Sequence, residues 1–219
     1  MKRIVERATT FFDLPLELSS RILVLVAALA ILPTLFLPLW NMTLFSNQFP
    51  DGLELNIYSY KLEGAKTENR DDLREINSLN HYIGMHPLRE EDFTEFKWIP
   101  FVVGALGLVF LRCALIGNIS SLVDIFVLYV YFGLFSLWSF GYKLYNYGHN
   151  LAPTAPVKVA PFMPPLFGHR KLANFDVYSY PSPGAYALAA VALVLAAAMI
   201  LAGREERAEE RSEEAVVAG

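Results

Sequence analysis

Residues 98–142 read WIPFVVGALGLVFLRCALIGNISSLVDIFVLYVYFGLFSLWSFGY, two apolar runs joined by a short polar turn at Asn118. A bilayer core takes about 20 apolar residues in helix, and each run reaches that length. The first run, 98–117, is broken only by Arg112 near its far end. The second, 119–142, carries Asp124 near its start. Two such runs with so short a connection form a helical hairpin. A third run, 22–40, has no charge, and Pro33 and Pro38 are expected to kink its outer half. A fourth, 185–203, is alanine-rich and ends at Gly203. The expected fold class is mainly α and integral to a membrane, a four-helix transmembrane bundle.

Composition agrees with that pattern. The 219 residues are 54% hydrophobic and 18% charged, where a soluble domain carries about 25% charge. A net charge of −4 lacks the basic excess of a nucleic-acid binder. The single cysteine excludes an internal disulfide framework, a CxxC pair and a thiolate zinc cluster.

The flanks set the expected orientation. Lys2, Arg3, Arg7 and Arg21 precede the first run, Arg112 sits beside the tight turn, and Arg204, Arg207 and Arg211 follow the last run. The positive-inside rule places all three sites in the cytoplasm. The chain is then a multi-pass protein of the bacterial cytoplasmic (inner) membrane with both termini cytoplasmic. It divides into a tail (1–21), a span (22–40), an outer loop (41–97), two spans (98–117 and 119–142), a proline-rich outer loop (143–184), a span (185–203) and a charged tail (204–219). Trp40, Trp98 and Tyr142 stand at outer span ends as interface anchors. Ala28-Leu29-Ala30 fits a signal-peptide cleavage triplet, but the apolar run continues ten residues beyond it, which favours a retained span.

Within the spans, Arg112 and Asp124 are expected to pair or snorkel at the cytoplasmic ends of their helices. Ser121-x-x-Asp124 has the form of a capping box. Gly104, Gly107 and Leu108, and the stripe Ala185, Ala189, Ala192 and Ala196, are expected to pack helix against helix.

The outer loops read as an ordered cap of short helices, two short strands and a proline-rich segment. Leu53, Leu55 and Ile57 alternate, predicting a strand over 53–62, and 172–180 reads as a second. Ile57-Tyr58-Ser59-Tyr60 nearly repeats as Val177-Tyr178-Ser179-Tyr180. The two strands are expected to meet in a small sheet. Leu73, Ile76, Leu79 and Ile83, with Asp71 and Asp72 before them and Gly84 after, predict an amphipathic helix. A second short helix is expected over 88–96, with Phe93 and Phe96 buried. Seven of the thirteen prolines fall in the second loop, favouring extended chain there. Residues 41–97 hold eleven acids and six bases, while 142–183 hold one acid and four bases. Opposite net charges favour contact between the loops.

The chemistry-bearing residues also lie in these loops. All four histidines, His81, His86, His149 and His169, are outside the spans. That excludes a haem held by two histidines between transmembrane helices, and no haem is expected. In His81-Tyr-Ile-Gly-Met85-His86, imidazole and thioether donors together suit copper(I) better than zinc, calcium or magnesium. If the loops meet, His149 and His169 complete a site with His81, Met85 and His86. The alternative is structural, since a histidine near a helix C-terminus is favoured by the helix dipole alone. No GxSxG, HExxH or P-loop occurs, so no enzymatic activity is expected. The spans also lack the polar, broken helices of a transporter.

Three segments carry a resemblance. Ile76-Asn-Ser-Leu-Asn-His81-Tyr-Ile-Gly-Met85, Tyr147-Gly-His149-Asn-Leu-Ala-Pro-Thr-Ala-Pro and Pro164-Pro-Leu-Phe-Gly-His169-Arg-Lys-Leu-Ala-Asn-Phe-Asp together resemble a bacterial family of small four-span membrane proteins. That family is associated with gene neighbourhoods for nitrous oxide reductase and its copper-site maturation. The resemblance covers most of 20–200 and implies a role in copper delivery or enzyme assembly outside the cytoplasmic membrane. The leading expectation is therefore an accessory protein whose cap handles copper or docks a copper-containing respiratory enzyme. The alternative is a structural or assembly subunit with no ligand of its own. The lipid bilayer is a partner in both, nucleic acid in neither. Convergence of the five His and Met side chains separates them.

Overall fold

Apolar runs become helices here because a helix satisfies its own backbone hydrogen bonds wherever water cannot. A computed structural model describes residues 11–172 and 174–217, with side chains as far as Glu205. Lys2, Arg3 and Arg7 lie outside the described residues, as do the side chains of Arg207 and Arg211. Helices α1 (Leu18–Ala30), α2 (Asp72–Ile83), α3 (Glu95–Ile116), α4 (Ile119–His149) and α5 (Pro183–Val217) are joined by strands and loops. Four helical segments are long and apolar enough to cross a membrane: Leu18–Leu35, Glu95–Ile116, Ile119–His149 and Pro183–Glu205. Of the apolar 18-residue stretch in each, between 22% and 33% is buried, and large apolar side chains such as Leu18, Phe101, Leu108 and Leu193 are exposed on these helices.

The described residues fall into two units, one from 11–32, 102–132 and 187–217, the other from 33–101, 133–172 and 174–186. In the first, Val24 and Ala27 of α1, Phe110 of α3, Leu122 of α4 and Val191 and Leu195 of α5 are buried. Gly107 does pack closely, with its hydrogen side toward Ile31, whereas Gly104 faces open space. On α5 the buried row is Val191, Leu195, Ala198 and Ala202, a different face from the expected alanine stripe, of which Ala189 is exposed. Size does not select this face, since Ala198 and Ala202 share it with Val191 and Leu195 while Leu193 is exposed; close packing against the neighbouring helices does. The Tyr129 hydroxyl donates to the Leu188 carbonyl at 2.7 Å. Asn118 caps α4, its side chain accepting from the Ser121 N–H at 2.9 Å. The cap is therefore three residues ahead of the expected Ser121 box. Arg112 and Asp124 form no ion pair with each other. The Leu16 N–H donates to the Gly117 carbonyl and the Ile119 N–H to the Leu14 carbonyl, tying the segment before α1 to the turn between α3 and α4.

The second unit departs further from expectation. The first span does not continue to residue 40. After α1 the chain makes one 3-10 turn, Leu32–Leu35, and then enters a strand at Trp40. Proline lacks an N–H and cannot continue the helical ladder. Pro33 ends the helix rather than kinking it, and Pro38 lies in the irregular chain between the 3-10 turn and β1. The strands are β1 (Trp40–Ser46), β2 (Phe49–Ile57), β3 (Leu62–Gly64), β4 (Lys66–Thr67), β5 (Arg70–Asp71), β6 (Gly168–Leu172) and β7 (Phe175–Pro181). Five of them form an antiparallel sheet in the order β3-β2-β1-β7-β6, and β4 pairs with β5 in a separate short hairpin. The expected strand 53–62 is thus the end of β2, a turn and the start of β3. The expected strand 172–180 is mostly β7. The two share the sheet but do not pair, because β1 lies between them.

Alternation turns Met42, Leu53, Leu55 and Val177 into one core with Ile76 of α2 and Leu144 of α4. The tetrapeptide repeat has no shared role: Val177–Tyr180 lies in β7, while Tyr58–Lys61 closes a turn through the Tyr58 N–H and Lys61 carbonyl. Helix α2 forms as expected, capped by Asp71 and ended by Gly84 at φ 80°. The expected helix over 88–96 is instead a 3-10 turn, Glu90–Asp92, followed by the start of α3. Phe93 and Phe96 do pack on the core. Helix α4 runs on to His149, and α5 continues through the charged tail.

One buried charge locks α2 to the sheet. Asp72 is 1% exposed. Its Oδ2 accepts the Glu54 N–H at 2.8 Å, and its Oδ1 lies 2.7 Å from Arg70 Nε, an ion pair too bent to count as a hydrogen bond. Asp72→Ala should destabilise the protein by about 3 kcal/mol, since removing one member of a buried pair leaves donors unmatched. Asp72→Asn, which keeps an acceptor, should cost less. Denaturation midpoints in detergent check the order.

Candidate functional site

The C-terminal end of α2 positions His81, Met85 and His86. Gly84 adopts a left-handed conformation, and its N–H and that of Met85 close back on α2, with Met85 donating to the Asn80 carbonyl at 2.8 Å. This ending turns the chain sharply, so Met85 and His86 leave the helix beside His81. The exit is then pinned by Asn77, whose side chain accepts the Leu88 N–H at 2.6 Å and donates to the Leu88 carbonyl at 3.2 Å.

The proline-rich loop forms the facing wall. The Ala152 N–H donates to the Gly84 carbonyl at 2.7 Å, and the Val157 N–H to the Tyr82 carbonyl at 3.0 Å. Proline restricts this loop to extended backbone, which leaves its remaining N–H groups available for such bonds. Between the two segments lies a shallow pocket of about 200 Å³ lined by His81, Met85, His86, Ala152, Thr154 and Pro156, among others. The loops therefore meet, and the expected contact between them is present. Its glue is backbone hydrogen bonding more than the opposite net charge. Among the described residues one ion pair joins them, Lys143 to Glu95 at 3.5 Å.

His149 and His169 do not line this pocket. His149 ends α4, where its Nδ1 lies 2.9 Å from the Tyr145 carbonyl and its ring stacks on Tyr145 with centroids 3.8 Å apart. His169 sits on β6, with its Nε2 3.0 Å from Asp176 Oδ1 and its ring 4.5 Å from that of Tyr178. Each is held by neighbours on its own element or hairpin. The sequence could not reveal this, because both contacts depend on where the helix ends and how β6 registers with β7. The pocket's second wall, Ala152 to Pro156, was equally hidden: only proline density hinted that the loop is rigid enough to serve as one.

The pocket offers two imidazoles and one thioether. These donors suit a soft monovalent ion. Among the described residues, no three His, Cys, Asp or Glu side chains group closely enough to hold a metal ion, so a copper(I) ion here would depend on the Met85 sulfur. No family model, curated protein or solved structure matches the chain.

Gly84 is the residue on which the pocket depends. A Cβ there would lie 2.9 Å from the Ala152 carbonyl oxygen and from the Ala155 Cβ, in a backbone conformation that L side chains disfavour. Gly84→Ala should cost about 1–3 kcal/mol and free the 152–157 segment. Faster amide exchange at Ala152 and Val157, with β1 and β7 still protected, is the expected result.

Proposed function

We propose that the protein is a multi-pass membrane accessory protein that uses its folded cap to hold or dock a partner, without catalysis of its own. Four apolar helices sit in the bilayer in this reading, and the two long connections form the cap on the outer side of the bacterial cytoplasmic membrane. The observation that carries it is the pairing of β1 with β7, which makes one sheet and one core from two loops far apart in sequence. A cap with its own core is a rigid surface for a partner. The hydrogen bonds between residues 14–16 and 117–119 put the segment before α1 beside the Arg112 turn, which supports placing these two on one side of the membrane; the charge rule makes that side cytoplasmic. A copper-dependent respiratory enzyme such as nitrous oxide reductase is the partner that the sequence resemblance implies.

Copper handling is the second reading, favoured by the shared pocket of His81, Met85 and His86. It stands behind the scaffold reading because His149 and His169 are engaged elsewhere.

Alkaline phosphatase fused after residue 70 or 160 should be active, and fused after 205 inactive. Activity of the last fusion would overturn the orientation. On the scaffold reading, the purified chain does not compete with a chromophoric copper(I) chelator. Competition that His81→Ala with Met85→Leu weakens at least ten-fold, about 1.4 kcal/mol, would establish the copper reading instead.

A further inference from the structure

The sheet face turned away from the core has a chemistry of its own. Met42, Leu55 and Val177 point inward, so alternation sends Asn41, Thr43, Glu54, Asn56, Tyr178 and Tyr180 outward. Register arranges them in rows. Asn56 lies opposite Asn41, which lies opposite Tyr180. Glu54 lies opposite Thr43, which lies opposite Tyr178. Half of this face therefore makes hydrogen bonds and the adjoining half is aromatic. Phe167 extends the aromatic half, its ring 5.3 Å from that of Tyr180. Phe167, Tyr178 and Tyr180 are 67%, 37% and 43% exposed.

The polar half is preorganised and unsaturated. Asn41 Nδ2 donates to Glu54 Oε1 at 2.9 Å and to Asn56 Oδ1 at 3.0 Å. Asn56 Nδ2 donates to Glu54 Oε1 at 3.0 Å, and Thr43 Oγ1 donates to Asn41 Oδ1 at 3.0 Å. These bonds fix the planes of both amides and the carboxylate. Glu54 Oε2 has no hydrogen-bond partner among the described residues, and Asn56 keeps one N–H unused.

Charge narrows the ligand. Around the patch, Asp176 is met by His169 at 3.0 Å and stands opposite Lys171. Glu63 accepts from Lys61 at 2.8 Å, a bond that holds its carboxyl below the ordinary range. Glu54 and Lys171 form no ion pair among the described residues, and Glu54 is the one that lies against two amide groups. A phosphate or an anionic headgroup finds no excess of cations here. An apolar protein surface would bury the Glu54 carboxylate without a donor, which is unfavourable. A polyol supplies those donors. A pyranose ring presents C–H groups on one face, which suit the negative face of a tyrosine ring. Its edge hydroxyls both donate and accept, which suits fixed amides and a carboxylate.

We propose that this sheet face is a binding site for a neutral saccharide, stacked on Tyr180, flanked by Tyr178, whose ring is braced by His169 and Phe45, and hydrogen-bonded through Asn41, Glu54 and Asn56. The site is separate from the His81 pocket and independent of the scaffold reading. The full chain, purified in detergent, should bind neutral members of an array of neutral and uronic-acid oligosaccharides. Tyr178→Ala combined with Tyr180→Ala should weaken that binding at least ten-fold. Phe167→Ala, outside the strands, and Glu54→Gln should each weaken it while the thermal midpoint is unchanged, and these two decide the matter if the double variant does not fold. His81→Ala combined with His86→Ala should bind as the wild type does. Absence of neutral-glycan binding, preference for the acidic sugars, or wild-type affinity in Phe167→Ala and Glu54→Gln overturns the proposal. So does a chain that binds no glycan but dimerises through this face, becoming monomeric on Tyr178→Ala.

Discussion

The antiparallel ladder between β1 and β7 is the constraint on which the extended part of the structure depends. A two-stranded hairpin alone is marginal in water; β6–β7 alone would be such a hairpin, and β1–β2 would be extended only by the three-residue β3. Their joining through β1 and β7 gives five strands and one apolar face. The ladder does not stop at the sheet. The Ser182 N–H reaches the Leu39 carbonyl and the Gly184 N–H the Pro38 carbonyl, so pairing continues into the first turn of α5. Gly184 is needed there because a Cβ would lie 2.7 Å from the Pro38 oxygen.

Much of this was legible in the sequence, and the parts that were not share a cause. The apolar runs located the long helices because backbone satisfaction and side-chain hydropathy agree there. Asp71, Asp72 and Gly84 bounded α2 because caps act locally. Trp40 is the instructive failure. At the end of an apolar run it reads as an interface anchor, yet Trp40, Met42 and Leu44 are also the inward row of a strand. Hydropathy alone does not separate the two; Pro33, which ends the helix, and Pro38, which keeps the following chain non-helical, were the signal that did. The strand at 53–57 was legible through Leu53, Leu55 and Ile57. Its partner was not, because pairing between distant segments is set by tertiary contact rather than by either sequence.

The same division holds for the candidate sites. His81, Met85 and His86 are close in sequence, and a helix end keeps them together. His149 and His169 had to be brought in by tertiary structure, and local partners hold them instead. The outer sheet face shows the reverse: Asn41, Glu54 and Tyr180 carry no motif, and only register puts them in contact. The cap therefore has two surfaces with separate origins, a pocket made by a helix terminus and a face made by strand order.

The strand order is the central claim and is open to a direct measurement. In a Cys113→Ala background, Thr43→Cys with Tyr178→Cys places two thiols on directly paired residues. Glu54→Cys with Tyr178→Cys places them two strands apart, about 10 Å, beyond the reach of a disulfide. Mild oxidation should close a disulfide in the first variant and leave the second reduced. Closure in the second and not the first would mean that β2 pairs with β7 directly, and would contradict both the five-strand order and the shared core built on it.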